Sequence, residues 1–154
     1  MKYTFNTLEE VKTAIEQWFI TLGFDNAERA EKQYLKIIAE VGKMADALCK
    51  EDHENFKSEA GDVFVTIVGY CLQLDYKLEL YHHSIKVDNI YAINHIINEL
   101  LMDSFEGVID YVQDICLNEN TTLLECATIA YNKIQKRLED GKLSIKNGTV
   151  IKAV

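Results

Sequence analysis

Apolar positions recur at helical spacing along most of the chain, broken at intervals by short polar stretches. Thr7 followed by Glu10 is a capping box, and it opens an amphipathic helix that runs to about Leu22 and ends near Gly23. Asn26 can cap a second helix reaching about Cys49. Its apolar residues Tyr34, Ile37, Ile38, Val41, Met44, Ala45 and Leu48 form a face about 120° wide. "KEDHEN" interrupts the pattern, and a third helix is predicted from about Glu54 to Leu74. From Val63 to Leu72 that helix is apolar almost all round, which marks it as buried.

Residues Tyr76 to Val87 are undecided, with a loop around "YHHSIKVDN". A long helical pattern resumes at Asp88 or Asn89 and continues to about Cys116, with candidate breaks at Asp103-Ser104 and Gly107. Asn120-Thr121 starts the last helix, which runs through about Glu139. In "GKLSIKNGTVIKAV" two short β-type runs flank Asn147-Gly148, a hairpin signal.

Composition sharpens this picture. The chain has 154 residues, no proline and only seven glycines, so an all-α single domain is expected. A formal charge of −9 argues against a surface for polymeric nucleic acid, which needs clustered Lys and Arg. A single nucleotide is compatible with it, because a divalent cation can bridge phosphates to carboxylates. Cys49, Cys71, Cys116 and Cys126 lack zinc-ligand spacing, and three lie in apolar helical surroundings, so reduced buried thiols are expected. The N-terminal segment has no signal-peptide core, and the longest apolar run is roughly half a membrane span. No membrane partner and a cytoplasmic location follow, host cytoplasm if the chain is viral.

Candidate chemistry centres on the third helix. Glu59 and Asp62, three residues apart, lie about 60° apart on the helical wheel and face one another. With Thr66 and Gly69 they form a narrow polar strip, expected to face an enclosed polar space. Two such carboxylates repel, and burial disfavours their charged forms, so a hard cation or basic side chains must compensate. Glu40, at the edge of the apolar face of helix two, can approach the same space. On the other reading, Glu40 and Lys43 form a partly solvated pair and Glu59 is an acid at a helix N-terminus. Glu99, Asp103, Glu106, Asp110 and Asp114 make one acidic stripe opposite Leu101, Val108, Val112 and Ile115, read as a solvated face. His82-His83 reads as a plain loop pair. No glycine-rich phosphate loop and no flanked nucleophile occurs.

The segments "KIIAEVGKMADAL", "FKSEAGDVFVTIV" and "AYNKIQKRLEDGKLSIKNGTVIK" together resemble the MazG-like nucleotide pyrophosphohydrolases, whose pattern is EExxE on one helix and ExxD on the next. The resemblance covers about residues 15–75 and 122–152, leaving an inserted helical segment at about 76–120. It implies a MazG-like bundle with a short C-terminal hairpin, assembled as a homodimer or homotetramer. It also implies Mg²⁺-dependent (or Mn²⁺-dependent) cleavage of a nucleoside triphosphate to the monophosphate and pyrophosphate. Glu40, Glu59 and Asp62 match the catalytic metal-ligand positions. Lys43, Lys133 and Arg137 are candidates for phosphate contact, with Lys152 a weaker one, and Trp18 is a candidate for stacking on the base or for the core. The EExxE segment here reads Ala39-Glu40-Val41-Gly42-Lys43, so two of its acids are absent. Two functions therefore stand open: a pyrophosphohydrolase of reduced power, or an inactive helical module that binds a nucleotide or a protein partner.

Overall fold

Four of the described α-helices begin where the sequence supplies a side-chain oxygen for their free N–H groups. Thr7, Asp52, Asp88 and Thr122 accept hydrogen bonds from the N–H of Glu10, Asn55, Tyr91 and Glu125 respectively. The computed structural model describes residues 1–84 and 86–141, and the backbone of 143–146 and 149–152. Its helices are α1 (Leu8–Thr21), α2 (Ala30–Cys49), α3 (His53–Gln73), α4 (Asn89–Leu101), α5 (Phe105–Asn118) and α6 (Leu123–Glu139). A single 3₁₀ turn, Ala27–Arg29, leads into α2, and Asn26 makes no side-chain cap there. The long pattern expected to reach Cys116 breaks after Leu101, where Asp103 takes φ of 52°. Aspartate tolerates that left-handed conformation better than most residues. The backbones of β1 (Leu143–Lys146) and β2 (Thr149–Lys152) pair antiparallel, Leu143 opposite Lys152. Asn147-Gly148 lies outside the described residues. Among the described residues, no helix is long and apolar enough to cross a membrane.

α3 is the spine. It packs against α2 on one flank and α6 on another, and touches α1 and α5 as well. Phe56, Ala60, Val63, Phe64, Ile67, Val68 and Cys71 are all buried along it, as its all-round apolar character requires. The expected apolar face of α2 is only partly right. Ile37, Val41 and Met44 are buried, whereas Ile38 is exposed and Ala47 takes an inward position. Three cysteines are buried, and all four are free thiols.

Of the expected acidic stripe Asp103 is exposed, but Glu106, Asp110 and Asp114 on α5 face a segment of the chain rather than open solvent. Residues 76–84 and 86–88 run without regular secondary structure beside α5, and polar side chains of α5 hold them there. Tyr76 donates its hydroxyl to Glu106 at 2.8 Å, and the Glu79 N–H donates to the same carboxylate at 3.3 Å. The His83 N–H donates to Asp110 at 3.3 Å, and His82 Nε2 lies 3.0 Å from Asp114, whose side chain is 2% exposed. One turn further on, Asn118 Nδ2 donates to the Val87 carbonyl at 2.8 Å. Positions 106, 110, 114 and 118 share one helix face, so the strap meets a rung at each turn. The two histidines lie in a loop, as expected, but His82 also pairs with the buried Asp114, and the His83 backbone binds the half-buried Asp110. Leu101, expected on the apolar side of this pattern, is exposed because α4 ends there, while Val108, Val112 and Ile115 are buried.

Candidate functional site

Asp62 lies one residue beyond the closest approach of two helices. A β-carbon at Gly61 would stand 2.1 Å from the Cys126 carbonyl oxygen and 2.8 Å from the Ala130 side chain, so glycine lets α3 and α6 touch there. One turn along α6, the Lys133 ammonium crosses to α3. It donates to the Asp62 carboxylate and, at 2.8 Å, to the Ser58 hydroxyl. Ser58 and Asp62 are four residues apart, on one face, and they flank a single ammonium. Ser58 escaped sequence reasoning, although its offset from Asp62 was a usable signal.

α2 completes the cluster. Carboxylate oxygens of Glu40, Glu59 and Asp62 lie within 4.8 Å of one another. Lys43 Nζ stands 3.0 Å from both oxygens of Glu40, one turn away, and its side chain is 56% exposed. The expected Glu40–Lys43 pair and the expected convergence of three acids are both present. Arg137, one turn beyond Lys133, contributes positive charge that acts on Asp62. Trp18 is elsewhere: its ring contacts are Phe19 at 5.3 Å and Phe24 at 6.2 Å. The side chain of Lys152 lies outside the described residues. The polar strip is also shorter than expected. Thr66 turns its hydroxyl back onto the carbonyls of Asp62 and Val63, both at 2.9 Å, and Gly69 lies under the Phe19 ring. Of that expected strip, Glu59 and Asp62 face the cluster. Two surface grooves, one between the N-terminal segment and α6 and one beside Thr7, include none of these residues.

The electrostatics follow from this geometry. Burial pushes the Glu59 carboxyl above the ordinary glutamate range, and Asp62 and Glu40 push it further, against Lys133 and Lys43. Burial likewise raises Asp62, although the hydrogen bond and charge of Lys133 pull it down. Glu59 Oε2 is buried and has no hydrogen-bond partner. Leaving such an acceptor unmade costs about 1–3 kcal/mol. A metal cation could answer that cost, because the site offers an all-oxygen carboxylate set. The three acids could hold a metal ion.

A pH dependence of stability follows. A carboxyl with a raised folded-state pKa binds its proton more readily in the folded chain. Stability is therefore lost as pH rises from the ordinary glutamate value through the folded one, and the full loss is present above it. Glu59→Gln removes that loss. The variant is expected to unfold at a higher temperature than wild type near pH about 8, with the difference fading below pH about 4. Calorimetric scans across that range check it; a gap that stays constant with pH contradicts the burial argument.

No protein-family model, curated protein or solved structure matches the chain.

Proposed function

We propose that the chain is a nucleoside triphosphate pyrophosphohydrolase of the MazG-like type, working with Mg²⁺ or Mn²⁺. The single observation carrying this reading is the convergence of Glu40 from α2 with Glu59 and Asp62 from α3 within 4.8 Å, beside two lysines. Glu40, Glu59 and Asp62 are the residues to hold the cation, which when bound neutralises phosphate charge and activates water. Lys133 and Arg137 extend along α6 from the same place and are suited to phosphate oxygens. Lys43, more than half exposed at the rim, is paired with Glu40 and stands where a further acid would serve a cation better. The overall reaction consumes one water and cleaves the α–β anhydride, releasing a nucleoside monophosphate and pyrophosphate.

The same reading supplies its finer parts. The β1–β2 tail stands for the closing hairpin. Exposed Leu35 and Ile38 on α2 support a homodimer or homotetramer built on that face. A cytoplasmic setting, where nucleoside triphosphates are abundant, agrees with the expected reduced thiols.

A second reading is favoured by one observation: each of two acids already has its own ammonium, Glu40 with Lys43 and Asp62 with Lys133. A site neutralised in this way can bind a nucleotide without turning it over. Pyrophosphate release from a panel of ribo- and deoxyribonucleoside triphosphates, with Mg²⁺ and with Mn²⁺, separates the two. At least one triphosphate is expected to be cleaved, and Lys43→Glu, which frees Glu40 and adds an acid, is expected to raise turnover about tenfold or more. If neither protein releases pyrophosphate while a non-hydrolysable triphosphate still binds in a calorimeter, the binding module is the correct reading. With neither release nor binding, both fall.

A further inference from the structure

We propose that the Lys133 ammonium is the resident counter-ion of this site, that it yields Asp62 to an incoming divalent cation, and that Ser58 is the positioning residue that keeps it in place afterwards. The inference rests on the metal reading above and adds to it how the site changes hands. Three carboxylates held this close repel one another, so the cluster needs positive charge at all times. The two lysines meet that need in different ways. Lys43 pairs with Glu40 along one helix and is more than half exposed, so water can receive its ammonium when it leaves. Lys133 is three-quarters buried between α3 and α6. Its ammonium has three protons to place and no easy route to bulk water.

Ser58 solves that problem locally. Its hydroxyl accepts from Lys133 Nζ at 2.8 Å, on the same ammonium that donates to Asp62. When a cation takes the Asp62 oxygen, Lys133 keeps one buried acceptor and loses only one. An ammonium and a divalent ion sharing that oxygen would repel across a few ångströms, so the two occupancies exclude each other. Glu59 Oε2, buried and without a hydrogen-bond partner, is an oxygen that Lys133 leaves uncompensated and that a cation would satisfy. Lys133 thus holds the site together between cations and sets how tightly they bind.

The test is Mn²⁺ binding to the full-length chain, followed by electron paramagnetic resonance and by calorimetric titration, with no nucleotide present. Lys133→Met removes the competing charge and is expected to bind Mn²⁺ on the order of tenfold more tightly than wild type. Ser58→Ala leaves the ammonium with Asp62 only and is expected to weaken binding by about threefold. In the Lys133→Met background the Ser58→Ala change is expected to do nothing. That loss of effect is what a merely structural serine would not show. Mn²⁺ should also raise the unfolding temperature of Lys133→Met more than that of wild type. Lys133→Gln, which keeps a hydrogen-bonding head, serves if the methionine variant does not fold. Equal affinities in wild type and both Lys133 variants, or a Ser58 effect that persists without the lysine, overturn the proposal while leaving the metal site standing. No Mn²⁺ binding by any variant removes the metal site itself.

Discussion

Asp62→Asn is expected, if the proposed pyrophosphohydrolase activity is present, to lower triphosphate turnover on the order of a thousandfold while the chain stays folded. The amide keeps the shape of the side chain and one acceptor oxygen, but it removes the charge on which both Lys133 and a cation depend. Retention of the fold is the discriminating half of this prediction. Burial holds the Asp62 carboxyl above its ordinary range, so its ionised form is a cost to the folded chain at neutral pH. An unfolding temperature equal to or above wild type, together with lost pyrophosphate release, marks Asp62 as a functional acid whose presence works against stability. A large drop in stability with the same loss of turnover would instead make the Asp62–Lys133 pair chiefly structural. Circular dichroism melts beside the turnover assay decide between these.

Gly61→Ala is expected to be the most damaging small substitution for stability. The added methyl would lie 2.1 Å from a carbonyl oxygen and 2.7 Å from its carbon, both backbone atoms of Cys126 that cannot rotate away. Relief requires α3 and α6 to part by about 1 Å or more, because carbon atoms in contact sit near 3.5–4.0 Å. Such overpacking costs about 3 kcal/mol, a fall of about 6–12 °C in unfolding temperature for a chain of this size. The separation also draws Lys133 away from Asp62 and Ser58, so activity should fall even below the melting range. Denaturant unfolding at constant temperature measures the cost. A loss under about 1 kcal/mol would mean that the two helices do not meet as closely as described.

The start of α1 is legible because a cap is local chemistry and Thr7 needs only its own next turn to act. α3 is placed within a residue from its apolar pattern, while the start of α6 is expected two to three residues early, at Asn120-Thr121, because its cap, Thr122, is one of several adjacent polar residues. Glu59 beside Asp62 was equally legible, since the spacing of a helix places them together without reference to any other element. Lys133 and Arg137 were named as site candidates from the resemblance of the closing segment. That Lys133 would bind Ser58 as well as Asp62 depends on the docking of α6 against α3, and a one-dimensional pattern carries no docking geometry. The same limit explains the misread acids of α5. Periodicity sorts a helix into apolar and polar faces and assigns the polar one to water, but Asp114 has a stretch of its own chain in place of water. Ile38 shows the converse, an apolar residue at inward-looking spacing that the packing leaves outside. Trp18 could be placed on an apolar helix from its neighbours, while its particular ring partners could not.

The tie between residues 76–88 and α5 makes an irregular stretch of chain unusually intolerant of changes in length. Its contacts recur at the pitch of the helix beneath it, from Glu106 through Asp110 and Asp114 to Asn118. Removing one residue between Glu79 and His82 would put every later contact out of step, and would strand a carboxylate that has almost no access to solvent. What looks like a spacer between two halves of the molecule is measured to fit, as a key is to its wards.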